Sequence, residues 1–471
     1  MDNFSDFNVW GVVILLAILL TSLLAGNILK RAIPLLKKSL IPTSVLGGAL
    51  LLIVAAIYKA ITGNVMFDTE LFAGNGTANL EIITYHALAL GFIASALKTT
   101  EGKLTRKRTE EIFNTGVSTV STYLIQAIFG LTITIIAASV ITGFFKAAGV
   151  LLPFGYGQGS GQALNYGNIY EKDFGFDGGR SFGLTIAALG FLSAAIGGVF
   201  HLILMKRSGK LKKSKLTEAP IKQNEIESEN EIPMQESMDK MTEQIAYVVL
   251  AYMMTYFLMR GLSKLLPNMT SLIYGFNFLI GVLMATVVKG AMNGLRKCGL
   301  MRRKHTNNFL LTRVSNFFFD LMIVAGVAAI RLDILENYWG LMIILAAAGL
   351  IVTYAYTRIV SKTLFKDYSE EQFLATYGML TGTASTGIIL LREVDPDFKT
   401  PAADNLVYQN FPAIVFGLPM MFLATYAPKE PIKCLIIFIA FFAVLNLILF
   451  RRQIWSLFKR GKKQSKEQKN K

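Results

Sequence analysis

The sequence predicts an all-α polytopic membrane protein. Its expected architecture is an inverted-topology repeat of five TM helices plus one re-entrant, broken-helix hairpin in each half, with an extra C-terminal TM helix. Three observations carry this. The 471 residues are 53% hydrophobic and only 17% charged, whereas a soluble chain has about 25% charged residues. The apolar residues form runs, and roughly 20 of them in a row cross a bilayer as a helix. Two of these runs are interrupted by glycine and small polar residues at corresponding places in the two halves: Leu151 to Ala163, and Tyr377 to Ile388.

Taken in order, spans are expected at 9–29, 41–61, 82–98, 112–142 and 179–205 in the first half. The second half places them at 245–266, 271–291, 309–330, 338–362 and 403–427, and 432–450 falls outside the repeat. The interrupted segments, 147–170 and 371–393, each cross half the membrane, turn at their glycines and return. The run Val9–Leu29 is preceded by Asp2 and Asp6 rather than by basic residues and is followed by no A-x-A-like site. It therefore reads as a membrane helix and not as a secretory signal.

Orientation follows from Lys and Arg in the loops. Lys30, Arg31, Lys37 and Lys38 follow the first span, and Lys98, Lys103, Arg106, Lys107 and Arg108 the third. Lys206, Arg207, Lys210, Lys212, Lys213 and Lys215 follow the fifth; Arg296, Lys297, Arg302, Arg303 and Lys304 follow the span at 271–291. Arg451, Arg452, Lys459, Arg460, Lys462 and Lys463 close the chain. All lie on one side if both interrupted segments are re-entrant. The opposite loops carry Asp68 and Glu70, and Asp333 and Glu336. The N-terminus is thus expected outside and the C-terminus in the cytoplasm. An odd count of spans in the first half inverts the second, a layout common among secondary transporters. The domains expected are 1–205, first repeat; 206–243, a polar cytoplasmic linker; 244–427, second inverted repeat; and 428–471, extra helix and basic cytoplasmic tail. The net charge of +16 is spread over these loops and gives no reason to expect nucleic acid; the tail suits anionic lipid. Cys298 and Cys434 form no CxxC pattern, so neither a disulfide framework nor a metal site is implied.

The two breaks are the candidate site. Irregular backbone inside a bilayer costs several kcal/mol per unpaired group and persists where it lines a cavity. At such a tip the second half-helix presents free amides and a positive dipole end, which suit an anion. The first half-helix presents carbonyls, which suit a sodium ion. The residues are Gly157, Gln158, Gly159, Ser160, Gly161 and Gln162 at the first break, and Thr381, Gly382, Thr383, Ser385 and Thr386 at the second. A small carboxylate with a monovalent cation fits this chemistry; close packing of helices through small residues is the bland alternative. In the span at 309–330, Arg313, Asn316 and Asp320 are spaced three, four and seven apart and share one face. An ionisable group in a membrane is expensive and marks function. Asp320, with Asn316 and tip carbonyls, is the candidate Na+ site, or Asp320 carries a proton. Arg313 either neutralises Asp320, meets a substrate carboxylate, or snorkels to the interface.

His86 reads as a packing or hydrogen-bonding residue; His201 and His305 lie near membrane edges. Tyr123 and Gln126, and Tyr408, Gln409 and Asn410, either line the cavity or pack. Arg392, Glu393, Asp395 and Asp397 are expected to form a solvated cytoplasmic edge, with Arg392 reaching an incoming substrate as the alternative. No nucleophile–base set, HExxH or P-loop occurs. The chain is therefore expected not to be an enzyme and to need no cofactor, with Na+ as the coupling ion.

Lys37-Lys38-Ser39-Leu40-Ile41-Pro42-Thr43-Ser44-Val45-Leu46-Gly47-Gly48 resembles the early segment of bacterial sodium:glutamate symporters. Tyr156-Gly157-Gln158-Gly159-Ser160-Gly161-Gln162-Ala163 resembles their GGHGTGAA stretch. The likeness spans about residues 30–427. It implies a two-repeat, elevator-type carrier in the bacterial inner membrane, a homodimer importing glutamate with sodium. Gln158 stands where that family has a histidine, the second break lacks its GHCGFG wording, and the last span and tail are additional. A carrier for dicarboxylates or another small organic anion is the alternative substrate reading.

Overall fold

The structure, a computed structural model, describes residues 6–34, 36, 41–98, 105–209, 238–301, 303–332, 338–395 and 399–455. Most of the expected linker, the tail beyond Trp455, and Lys37, Lys38, Lys103, Arg302, Asp333, Glu336 and Asp397 lie outside the described residues. The elements are helices: α1 (Phe7–Ala32), α2 (Thr43–Thr62), α3 (Gly76–Leu97), α4 (Arg106–Val140), α5 (Leu151–Gly157), α6 (Ser160–Phe174), α7 (Gly179–Arg207), α8 (Lys240–Leu265) and α9 (Thr270–Gly275). They continue as α10 (Asn277–Lys297), α11 (Asn308–Ala328), α12 (Trp339–Leu364), α13 (Ser369–Thr381), α14 (Ala384–Arg392), α15 (Ala402–Tyr408), α16 (Asn410–Tyr426) and α17 (Pro431–Leu449). No strand element occurs among the described residues. Among the described residues, ten helices are long and apolar enough to cross a membrane, and the pair Ala402–Tyr408 with Pro412–Tyr426, bent by 52°, makes an eleventh if taken as one span.

Local chemistry sets the ends. Side chains cap α1 (Asp6 accepts from Asn8 N), α4 (Thr105 from Arg108 N), α8 (Asp239 from Met241 N and Thr242 N) and α11 (Asn307 from Leu310 N), each satisfying an orphan amide. The Thr105 cap starts α4 six residues before the expected 112. The added turn is charged, and hydropathy registers only the apolar part of a helix. The span expected at 271–291 is displaced to α10. The chain breaks at Phe276, and the fully buried Asn277 donates from Nδ2 to the Tyr85 carbonyl at 3.2 Å.

The chain divides into two compact units. One comprises Met1–Lys103, Gln158–Phe191 and Lys215–Trp339; the other Leu104–Gly157, Leu192–Ser214 and Gly340–Lys471. Each draws on both halves of the sequence. In the first unit, α3 and α11 pack together, α2 packs on α11 as α10 does on α3, and α1 packs on α2 as α8 does on α10. Exchanging α1, α2 and α3 for α8, α10 and α11 leaves this pattern unchanged. Ile93, Ala94, Val248, Ala251, Ala285 and Leu311 form one buried apolar cluster of this unit. Its helices meet through small residues, as membrane helices do: a Cβ on Gly47 of α2 would lie 2.7 Å from the Ser22 carbonyl of α1.

In the second unit, α4 carries α5, α16 and α17 along its length. α13 and α14 fold back on each other across the second break. Their contact is almost backbone to backbone: a Cβ on Gly378 would lie 2.8 Å from Gly387 Cα, and one on Gly387 would lie 2.3 Å from the Ala375 carbonyl.

Candidate functional site

The first break falls where the chain passes from one unit to the other. α5 ends at Gly157, and Gln158–Gly159 separate it from α6. Gly159 has φ 85° and ψ 179° and caps α6, its carbonyl accepting from Ala163 N at 3.2 Å. In the first unit, the start of α6 is held by two tight approaches. Gly161 lies against Leu88 of α3, and Gly326 of α11 gives Ser160 room, since a Cβ there would lie 3.2 Å from Ser160 Oγ. Ser160 and Gln162 are each 1% exposed. Ser160 Oγ and both amide atoms of Gln162 have no hydrogen-bond partner in the protein. These three unsatisfied atoms join the free amides of the first turn of a fifteen-residue helix.

Asp320 lies on α11, six residues before Gly326, so about 9 Å along the axis from the contact with Ser160. Its polar neighbour is Ser44, in the first turn of α2. Ser44 is fully buried, and its Oγ has no hydrogen-bond partner in the structure. Asn316, one turn earlier, is exposed, and Arg313 lies over the Phe309 ring at 4.8 Å.

In the second unit the helices that end at the two breaks are tied to one face of α4. Tyr123 OH donates to the Gly157 carbonyl at 3.1 Å. Gln126, one turn on, donates to the Leu380 carbonyl at 2.9 Å and to Thr353 Oγ1 at 2.8 Å. So the ends of α5 and α13 each have one carbonyl lone pair occupied. Gln126 is fully buried and its Oε1 is unpartnered. At the second break Thr381 is buried and bonds its own helix at Tyr377 O. Thr383 caps α14 by accepting from Thr386 N, and the two hydroxyls lie 3.3 Å apart. Gly382 has φ −146°, so the left-handed freedom of glycine is used at the first break and not at the second.

The sodium/glutamate symporter family profile matches residues 8–399. The chain belongs to the sodium/glutamate symporter family. No curated protein matches it. Membership assigns this family member to sodium-coupled glutamate transport and makes it a multi-pass membrane protein. The matched stretch contains both breaks, Ser44 and Asp320, and stops before α15; α17 and the basic tail lie beyond it.

The other residues singled out in the sequence divide clearly. His86 Nδ1 meets Tyr252 OH at 2.6 Å, and His305 Nδ1 meets Glu243 Oε1 at 2.7 Å. His201 is buried between Tyr354 OH at 2.8 Å and Glu370 Oε2 at 2.9 Å, with Arg358 on the same carboxylate. Asp395 is 6% exposed and caps the loop at Lys399 N and Thr400 N, so it is not part of a solvated edge. Gln409 is buried, with Nε2 against Met379 Sδ at 3.5 Å. Ser44, beside Asp320, and Thr353, which accepts from Gln126, were not singled out in the sequence. Ser44 stands in the Pro42–Gly48 stretch that carries the family likeness, which is the signal that could have found it; Thr353, a lone hydroxyl in an apolar span, offers none.

The tie made by Gln126 gives a direct expectation. Gln126→Leu strips the Leu380 carbonyl of its donor in a dry site, at a cost of roughly 1–3 kcal/mol. Thermal unfolding in detergent should fall by several degrees and apparent substrate affinity should drop. Thr353→Val, which removes only the second acceptor of Gln126, should do much less. Equal behaviour of the two variants would reject the tie.

Proposed function

We propose that this protein is a sodium-coupled symporter that imports glutamate, or a similar small acidic amino acid, by alternating access of the elevator type. One observation carries the reading: Ser160 and Gln162 keep three buried polar atoms unsatisfied at the head of α6, beside that helix's free amides. An unsatisfied buried polar group costs about 1–3 kcal/mol, so this arrangement favours a polar ligand, and the helix start favours an anionic one. A substrate carboxylate resting on the amides of Ser160, Gly161 and Gln162 satisfies both. Thr383, Ser385 and Thr386 at the start of α14 are proposed for the same role.

The cation is proposed at Asp320 with Ser44, with Asn316 one turn away; the Asp320 carboxylate supplies the charge. The carbonyls at Gly157 and Leu380 retain one lone pair each for a cation. Helices of 13 and 9 residues across the second break reach about 20 and 14 Å, short of the roughly 30 Å hydrocarbon core, which supports re-entrance. The exchange-invariant packing of the first unit supports the inverted repeat. The elevator mode, the homodimer and the bacterial inner membrane follow the family likeness. The loop charges favour an external N-terminus and a cytoplasmic C-terminus.

Neither tip, Gly157–Gln162 nor Thr381–Thr386, contains a carboxylate to receive an α-amino group. That observation favours the second reading, a dicarboxylate carrier. Uptake into proteoliposomes with an imposed sodium gradient decides: labelled glutamate should accumulate, and aspartate should compete better than succinate. Stronger competition by succinate would move the substrate to dicarboxylates, and sodium-independent uptake would remove the symport. In the same assay Asp320→Asn should weaken the sodium requirement at least tenfold while protein abundance changes little. Unchanged sodium dependence would reduce Asp320 to a structural group.

A further inference from the structure

A helix end leaves its last carbonyls without partners in the helix. In the first unit α9 ends at Gly275, and side chains from two other helices take its last two carbonyls. Tyr85 OH of α3 donates to the Tyr274 carbonyl at 2.8 Å, and Asn165 Nδ2 of α6 donates to the Gly275 carbonyl at 3.2 Å. Asn277 Nδ2, at the start of α10, returns to the Tyr85 carbonyl at 3.2 Å. The junction of α9 and α10 is thus bound to α3 in both directions, and α6 is joined to it through the buried Asn165. A carbonyl only accepts, so the Asn165 amide has its nitrogen toward α9. We propose that Asn165 is a positioning residue of the transport site: its bond to Gly275 sets the rotation of α6 about its axis and so aims the amides of Ser160, Gly161 and Gln162. That role rests on the head of α6 being the seat of a substrate carboxylate.

The other contacts near the head of α6 have little direction. Gly161 lies against Leu88, and a Cβ on Gly183 of α7 would lie 2.4 Å from the Ala163 carbonyl. Gly275 itself passes Ile169, whose Cδ1 would lie 3.3 Å from a Cβ there. Such contacts limit how closely helices approach but resist rotation weakly, whereas a hydrogen bond weakens steeply once its angle drops below about 120°. Asn165 stands five residues beyond Ser160, about 7.5 Å along the axis and about 140° around it. It therefore holds α6 from a different side than the one on which Ser160 meets Gly326. Glu171, which accepts from Arg180 Nε at 2.9 Å, ties α6 as well, but about 16 Å from Ser160. Without Asn165, a turn of about 20° carries backbone atoms at a radius of about 2.3 Å through about 0.8 Å. A shift of that size takes the first-turn amides out of line with a carboxylate oxygen.

The test measures the concentration dependence of labelled glutamate uptake into proteoliposomes of the full-length protein at saturating sodium. If the wild type accumulates succinate instead, labelled succinate takes its place. Asn165→Leu keeps the size and removes the donor. It should raise KM about tenfold with the maximal rate within about twofold of wild type, the scale of one misaligned hydrogen bond to a charged group. Tyr85→Phe frees the Tyr274 carbonyl and loosens the junction from α3, so it should raise KM in the same direction by less. Both act through one junction, so the double variant should fall short of the product of the single effects. Tyr85→Phe is also the milder exchange and reads the same route if Asn165→Leu inserts poorly. Asn293→Leu, the same exchange at an exposed position of α10, should leave both constants unchanged. An unchanged KM in Asn165→Leu, or a loss confined to maximal rate and thermal midpoint, would overturn the positioning role. Fully multiplicative effects in the double variant would overturn the junction as its route. Absence of sodium-driven uptake by the wild type would end the symport reading and this role with it; equal transport by wild type and Asn165→Leu would end the role alone.

Discussion

Gly159→Val should abolish uptake in proteoliposomes while the protein still inserts and elutes as a single species. The backbone at Gly159, φ 85° and ψ 179°, lies in a region populated essentially by glycine alone, and placing another residue there costs about 1–3 kcal/mol. Valine adds β-branched bulk to that strain. Relief requires rotation of the Gln158–Ser160 backbone, which swings the first-turn amides of α6 away from their present directions. A loss of this size at one turn does not unfold the protein, because the helix pairs of the first unit are packed elsewhere. The measurement needs two readouts, initial uptake rate and the midpoint of thermal unfolding. The expected pattern is uptake at background with the midpoint lowered by a few degrees. As a comparison, Gly175→Ala places a Cβ in open space at φ 70° at the far end of α6; it carries backbone strain without touching the tip, and transport should persist. Normal uptake by Gly159→Val would mean that the geometry of this break plays no part in binding.

Gly387→Val should disable the second break by a different route. A Cβ at Gly387 meets the Ala375 carbonyl at 2.3 Å and Met379 N at 3.2 Å. Both are backbone atoms of α13, so no side-chain rotation can make room. The hairpin has to open, and overpacking a close contact costs typically 1–3 kcal/mol or more. Uptake should fall to background, and the thermal midpoint should drop further than for Gly159→Val, because α13 is also joined to α5 and α15. Gly261→Val in α8, with nothing within 4 Å of its Cβ, controls for valine in a membrane helix. If Gly387→Val transported like Gly261→Val, close approach of α13 and α14 would be irrelevant to function.

The outcome at the two breaks shows where reading a sequence succeeds. Both were visible because a glycine-rich interruption of an apolar run is a local signal. Which glycines matter was not. Gly382 stands at the turn yet has φ −146°, whereas Gly378 and Gly387, inside the helices, are the ones pressed together. That depends on two segments meeting, and composition carries no record of it. Gln126 and Tyr123 illustrate the same limit: cavity lining and packing looked alike in the sequence, and the structure makes both residues ties to helix-end carbonyls. Asp395 was misread as solvated because its loop partners, the amides of Lys399 and Thr400, leave no compositional trace.

By itself the sequence determined the helical class, nearly all the spans, the two interruptions and enough motif to reveal the family. The reason is that a bilayer forces each span to satisfy its backbone internally, so the decisive interactions are local and appear in hydropathy and charge. The tertiary structure alone decided which buried polar atoms are satisfied and which are not. Ser44 faces Asp320 across two helices, Gln126 secures Leu380, and Ser160 with Gln162 is left unpaired at the head of α6. Those outcomes depend on helices brought together from distant parts of the chain, through contacts a few ångströms wide.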